Sequence, residues 1–94
     1  MKLYEEIEKS FPVIEKLFTA ERLEEFKNTE ISDLYLYYFG LGAWIRNNLL
    51  YSDSEENVLY GLFLENKIKH PDDMSSFIIR LFHYHCYLKD SWKI

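Results

Sequence analysis

The residues best suited to chemistry in this chain lie in two separate segments, residues 46–47 and residues 70–75. Arg46 is a lone base within a long apolar stretch, where a guanidinium needs a carboxylate or carbonyl partner. Asp72 or Asp73 could supply that partner. Either the cluster is an ion pair that fixes how two helices dock, which we favour, or it is a polar pocket for an anionic ligand. The candidate residues are Arg46, Asn47, His70, Asp72, Asp73 and Ser75.

A second group, His83, His85 and Cys86, has residue types that bind metals. Helix positions two apart point to different faces, so only His83 and Cys86 could share an ion. A zinc site would need further ligands, for which only His70 and scattered acids remain. We therefore expect no metal and no cofactor. A catalytic Cys86 would need a base from another element, for which only His70 is available. A buried structural thiol is the better interpretation.

The motifs of common enzyme classes are missing from the sequence. It contains no Gly-x-Ser-x-Gly elbow, and Gly40-Leu-Gly42 lacks the third glycine, the lysine and the preceding strand of a phosphate-binding loop. The acidic pairs at residues 55–56 and 72–73 fall at predicted helix starts, where the helix dipole accounts for them. We expect no catalytic residues and no enzyme; a metal-dependent hydrolase using Asp72, Asp73 and His70 is the least favoured alternative.

Length and composition favour one small cytoplasmic domain over residues 1–94. An 18% aromatic fraction gives a 94-residue chain much area to bury, and three Gly and two Pro argue against disorder. No apolar run is long enough to span a membrane, the acidic start is unlike a signal peptide, and a single cysteine cannot form an internal disulfide. Net charge is −5 overall and −7 over residues 1–66, which argues against general nucleic-acid binding.

Apolar residues recur at helical spacing along most of the chain, which predicts an all-α fold, a compact single-domain bundle of five to six short helices. The segment 33–50 is apolar around most of its circumference and is predicted to be one central helix. Gly40 and Gly42 within it indicate close approach of a neighbouring helix or ring, with a kink as the second possibility. The predicted helices cover residues 2–9, a restart at residues 10–12, and residues 20–27, 33–50, 55–66 and 71–89.

Two of these motifs resemble a bacterial family, a domain of unknown function. The first is Phe39-Gly-Leu-Gly-Ala-Trp-Ile-Arg-Asn47 and the second is His70-Pro-Asp-Asp-Met-Ser75, within a similarity that extends from about Leu17 to Leu88. The two motifs are specific when they occur together, and the resemblance supports the domain and the paired motifs while implying no particular reaction. Family members are expected to carry a histidine where this chain has Tyr38, so this chain would lack any family activity that depends on that histidine.

These observations favour a small, acidic, non-enzymatic protein-interaction module. Inhibitors, immunity proteins and phage anti-defence proteins are examples of such modules, an analogy of size and charge only. Exposed aromatic residues are suited to anchoring a protein partner or a second copy of the chain. The alternative is a small-ligand or nucleotide binder that uses a polar pocket around Arg46 and His70. The candidate partner-binding residues are Tyr35, Tyr51, Tyr60 and Trp92.

Overall fold

A computed structural model describes residues 2–51 and 57–91, and every regular element in those two ranges is a helix. The fold is all-α, as the sequence predicts. The elements in chain order are α1 (Lys2–Glu15), α2 (Ala20–Lys27), a 3-10 helix (Ile31–Tyr37), α3 (Gly40–Ile45), a π-helical turn (Arg46–Leu50), α4 (Val58–Glu65) and α5 (Pro71–Ser91).

The longest helix, α5, contacts α1, α2, α3, the 3-10 helix and the π-helical turn. Its Phe82 is fully buried, and the ring centroid lies 5.6 Å from that of Phe11, 6.1 Å from Phe18 and 5.5 Å from Phe26. Each of these rings comes from a different position along the first two helices and their connection. The high aromatic content therefore supplies the centre of the core, where large rings bury the most area per residue.

The N-terminal segment corrects one prediction. Instead of ending near residue 9 and restarting at Pro12, α1 continues through Pro12 to Glu15. A proline inside a helix removes one hydrogen bond and costs about 3 kcal/mol. The continuous helix is favoured because Leu3, Ile7 and Ile14 lie on one buried face, which a break would divide. Ser10 is buried on the same face, and its hydroxyl donates to the Ile7 carbonyl.

The predicted central helix over residues 33–50 is also wrong as a single element. The chain forms the 3-10 helix, turns at residues 38–39, and resumes as α3 at Gly40 before widening into the π-helical turn, where the Tyr51 amide donates to the Arg46 carbonyl at 2.8 Å. The break falls beside Gly40 and Gly42, where helix propensity is lowest. Within the 3-10 helix only Leu34 is buried. Because a 3-10 helix has three residues per turn, most of the apolar side chains in this segment do not share the buried face of Leu34.

The ends of α4 are set by local hydrogen bonds. The Asn57 side chain accepts from the Tyr60 amide at 2.9 Å, a standard N-cap, and also donates to the Leu49 carbonyl at 2.9 Å. At the other end Lys67 adopts a left-handed conformation (φ 66°), and the Ile68 amide donates to the Phe63 carbonyl. That pattern is a Schellman C-cap without its usual glycine. Leu59 and Phe63 are buried on the inner face of α4, whereas Val58 is exposed.

Candidate functional site

The segment 70–75 forms the first turn of α5, with His70 as its N-cap. The His70 carbonyl accepts from the Met74 amide at 3.0 Å, and His70 Nδ1 accepts from the Asp72 amide at 3.1 Å. Pro71 follows at the first helical position, where its missing N–H has no helical partner to lose. The Nδ1 lone pair is used by the backbone amide, so the 3.7 Å approach of Asp72 Oδ2 to Nδ1 does not add an ion pair in this tautomer. His70 therefore has a structural role as a cap.

Arg46 reaches α5 from the start of the π-helical turn. Its Nη1 donates to the hydroxyl of buried Ser75 at 3.0 Å and lies 3.5 Å from Asp72 Oδ1. The Ser75 hydroxyl in turn donates to the Asp72 carbonyl at 3.0 Å. The Arg46 side chain is 20% exposed and that of Asp72 is 69% exposed, so solvent weakens the ion pair and the Ser75 bond is the stronger contact. We call Arg46, Asp72 and Ser75 the polar lock.

Gly42 creates the space that the polar lock occupies. A Cβ at this position would lie 3.0 Å from Arg46 Nη1 and 3.6 Å from the Ser75 hydroxyl. An alanine would therefore press on the guanidinium. The expectation of close approach is confirmed at Gly42, whereas nothing lies within 4 Å of a Cβ at Gly40. The two glycines of the motif thus have different roles.

The structure brings together four of the six residues proposed from the sequence: Arg46, His70, Asp72 and Ser75. Asn47 is exposed and its side chain makes no hydrogen bond within residues 2–51 and 57–91. Asp73 is exposed and lies at the edge of a groove beside the polar lock. The contact between the two motifs was predicted, but Asp72 rather than Asp73 makes it.

An open groove of about 660 Å³ lies beside the polar lock, between the 3-10 helix and α5. Arg80 donates from Nε to the Tyr38 hydroxyl at 3.0 Å across this groove. Sequence reasoning missed Arg80 and Phe39 as site residues. The i, i+4 spacing of Asp72, Ser76 and Arg80 on a predicted helix could have identified the α5 side. The groove is lined by Tyr35, Tyr38, Phe39, Arg46, Asp72, Asp73, Ser76 and Arg80.

The histidines and the cysteine of α5 are dispersed. His83 is buried, and its Nε2 donates to the Thr29 carbonyl at 2.8 Å, which ties the start of the 3-10 segment to α5. His85 is half-buried, and its ring centroid lies 4.7 Å from that of Phe11. Cys86 is buried, as expected of a structural thiol. Within residues 2–51 and 57–91, no three His, Cys, Asp or Glu residues are grouped to hold a metal ion.

The aromatic partner-binding candidates have different surroundings. Tyr35 and Tyr51 are exposed as expected. Tyr60 differs from the expectation, because it is half-buried and packs against the core from α4. Trp92 lies outside the described residues. Among the large apolar side chains that the structure describes, the most exposed is Phe39, at 89%, which was not among the candidates.

The fold and the paired motifs define a small all-α domain whose helices are joined by a polar lock. None of the helices in the described ranges is both long and apolar enough to cross a membrane. A family model, a domain of unknown function (DUF6794), matches residues 5–86 and so spans both motifs. The chain belongs to this family. No curated protein and no solved structure matches it.

Proposed function

We propose that this protein is a non-catalytic protein-interaction module whose contact surface is an apolar ridge on the 3-10 helix and the turn that follows it. The ridge comprises Ile31, Tyr35, Leu36 and Phe39. The ridge lies between α2 and α3, and its four large apolar side chains fall within nine residues.

The exposure of the ridge is the observation that carries this proposal. Ile31 is 76%, Tyr35 61%, Leu36 65% and Phe39 89% exposed. Burying a fully exposed side chain of this size gains roughly 1.5–3 kcal/mol, and most of that gain is unrealised in the isolated chain. Single exposed apolar residues are ordinary, whereas four exposed large apolar side chains within nine residues of one segment favour an interaction site.

The alternative, a small-ligand or nucleotide binder centred on Arg46 and His70, has less support. Arg46 Nη1 already contacts Ser75 and Asp72, and His70 Nδ1 caps α5. A ligand anion would have to displace these bonds. The groove beside them is open, and the carboxylates of Asp72 and Asp73 balance the guanidiniums of Arg46 and Arg80, so the groove offers an anion no net positive charge.

Site-specific photo-crosslinking in the source organism tests the interaction module. A benzophenone amino acid replaces Leu36 on the ridge, and a control variant carries it at Val13, an exposed position on α1. We expect a discrete higher-mass product from the Leu36 position and none from Val13, with both variants retaining the wild-type circular dichroism spectrum. Equal labelling at the two positions, or no product at Leu36, would contradict the proposal.

A further inference from the structure

A pocket of about 480 Å³ lies where the connection between α1 and α2, α2 itself, the end of the 3-10 helix and α3 meet. No residue of the apolar ridge or of the polar lock lines it. Its volume falls within the roughly 300–1,000 Å³ that is typical of small-molecule sites. The pocket is therefore a candidate site of its own, separate from the proposed interaction surface.

Rings and aliphatic side chains form most of the pocket lining. Phe18, from the connection, and Tyr37, from the 3-10 helix, both contact the fully buried ring of Phe26, with centroid separations of 5.3 and 4.8 Å. Leu41 and Trp44 continue the apolar lining on α3, where residues three apart are neighbours. Because the core holds two of the rings in place, this part of the pocket is formed before a ligand arrives.

The two charged side chains of the pocket, Arg22 and Glu25, both lie on α2. Both are exposed, and neither side chain makes a hydrogen bond or an ion pair within residues 2–51 and 57–91. Residues three apart on a helix are neighbours, but a base that precedes its acid is the less favourable order for pairing. A ligand can therefore bind both charges without displacing a bond within the chain.

We infer that this pocket binds a free aromatic amino acid. Such a ligand carries a carboxylate and an ammonium on one carbon, which match the neighbouring guanidinium of Arg22 and carboxylate of Glu25. Its aromatic side chain packs against the rings of Phe18, Tyr37 and Trp44, where offset or edge-to-face contacts are favourable. The inference goes beyond the proposed function and does not depend on it.

A ligand with a single charge fits the pocket less well. An anion bound at Arg22 would also face Glu25, and a quaternary ammonium bound at Glu25 would face Arg22, so each meets a like charge. A quaternary ammonium would in addition lose hydration against Leu17 and Leu41, which offer it no polar side chain. An aromatic side chain within a polypeptide has neutral amides in place of the two charges and leaves Arg22 and Glu25 unmatched. The pair of charges therefore selects a free amino acid over an anion, a cation or a side chain of a partner protein.

Amide NMR of the full chain, titrated with L-phenylalanine, L-tyrosine and L-tryptophan, tests the inference. We expect at least one of the three to give saturable shifts at the Trp44 indole N–H and at backbone amides of α2 and α3. Two analogues of that amino acid, one without the ammonium and one without the carboxylate, should each bind at least about tenfold more weakly. L-Leucine keeps both charges without the ring and should also bind at least about tenfold more weakly.

Substitutions on α2 test which side chains bind the two charges. Arg22→Gln and Glu25→Gln should each lower the affinity at least about tenfold, because each leaves one charge of the amino acid unpaired. Glu21→Gln is the matched control, since Glu21 is exposed on the same helix and does not line the pocket, and it should change the affinity less than about twofold. Arg22→Gln retains the backbone amide that Thr19 caps, so the variants should keep the wild-type circular dichroism spectrum.

The other outcomes overturn the inference. These are no saturable shift with any of the three amino acids, shifts confined to residues outside the pocket, an analogue or L-leucine that binds as tightly as the amino acid, and variants that bind as tightly as the wild type. The proposed interaction module is tested separately, because the Leu36 crosslink reports on the apolar ridge.

Discussion

Replacing Arg46 with methionine tests whether the polar lock holds α3 and the π-helical turn against α5. Methionine retains most of the apolar stem of Arg46 and removes the guanidinium. The change deletes the 3.0 Å hydrogen bond to buried Ser75 and the 3.5 Å contact with Asp72. A hydrogen bond to a charged group contributes about 1.5–3 kcal/mol, and an ion pair with a largely exposed carboxylate adds less than about 1 kcal/mol.

We therefore expect Arg46→Met to lower the free energy of unfolding by about 2 kcal/mol. For a domain of this size the melting temperature should fall by roughly 8–16 °C. Urea denaturation followed by circular dichroism at 222 nm measures the free energy, and a thermal melt measures the temperature. Arg80→Met is the matched control, since Arg80 is exposed and its bond is to the Tyr38 hydroxyl at the surface. We expect the control to cost less than about 1 kcal/mol.

A neutral or stabilising effect of Arg46→Met would refute this reasoning. Buried ion pairs can be replaced by apolar residues without loss when desolvation cancels their attraction. The Ser75 hydroxyl retains a partner in the variant, because it still donates to the Asp72 carbonyl. No unsatisfied buried group is therefore created on α5, and the measured cost reports the guanidinium contacts themselves.

Substitutions at three further positions test local interactions beside the polar lock and at the end of α4. Gly42→Ala should destabilise the protein by about 1 kcal/mol, because the added methyl group presses on Arg46. In the Arg46→Met variant the same change should stabilise the protein by about 1 kcal/mol, because alanine has the higher helix propensity. A double-mutant cycle measured by urea denaturation detects this change of sign. His70→Ala should lower the free energy of unfolding by about 1 kcal/mol, because it removes the side chain that caps α5. His70→Asn retains a capping acceptor and should cost less than half as much. Equal losses of stability in thermal melts would argue against the cap. Lys67→Gly should stabilise by roughly 0.5–1 kcal/mol in urea, because glycine adopts positive φ without strain, and a loss of stability would contradict that account.

Several features of the fold followed from local sequence signals. Residues 20–27 were predicted to form a helix, and the hydroxyl of Thr19, which precedes it, accepts from the Arg22 amide at 3.1 Å. Pro71 with its acidic neighbours was predicted to start the last helix, which begins at that residue. These signals are reliable because capping and the proline position depend on a few adjacent residues. The contact between the Arg46 and His70 motifs could also be predicted from the sequence, because an isolated base in an apolar segment needs a partner.

Tertiary structure decided the features that propensity could not. Continuation of α1 through Pro12 depends on the core burying residues on both sides of it, and local rules assign that proline to a helix start. The division of residues 31–50 into 3-10, α and π segments depends on packing against α5. In this arrangement the side chains of Leu36 and Phe39 are exposed. The sequence by itself determined an all-α chain with a polar contact between two motifs. Only the tertiary structure revealed the apolar ridge beside that contact, because exposure of an apolar side chain depends on which neighbours the rest of the chain provides.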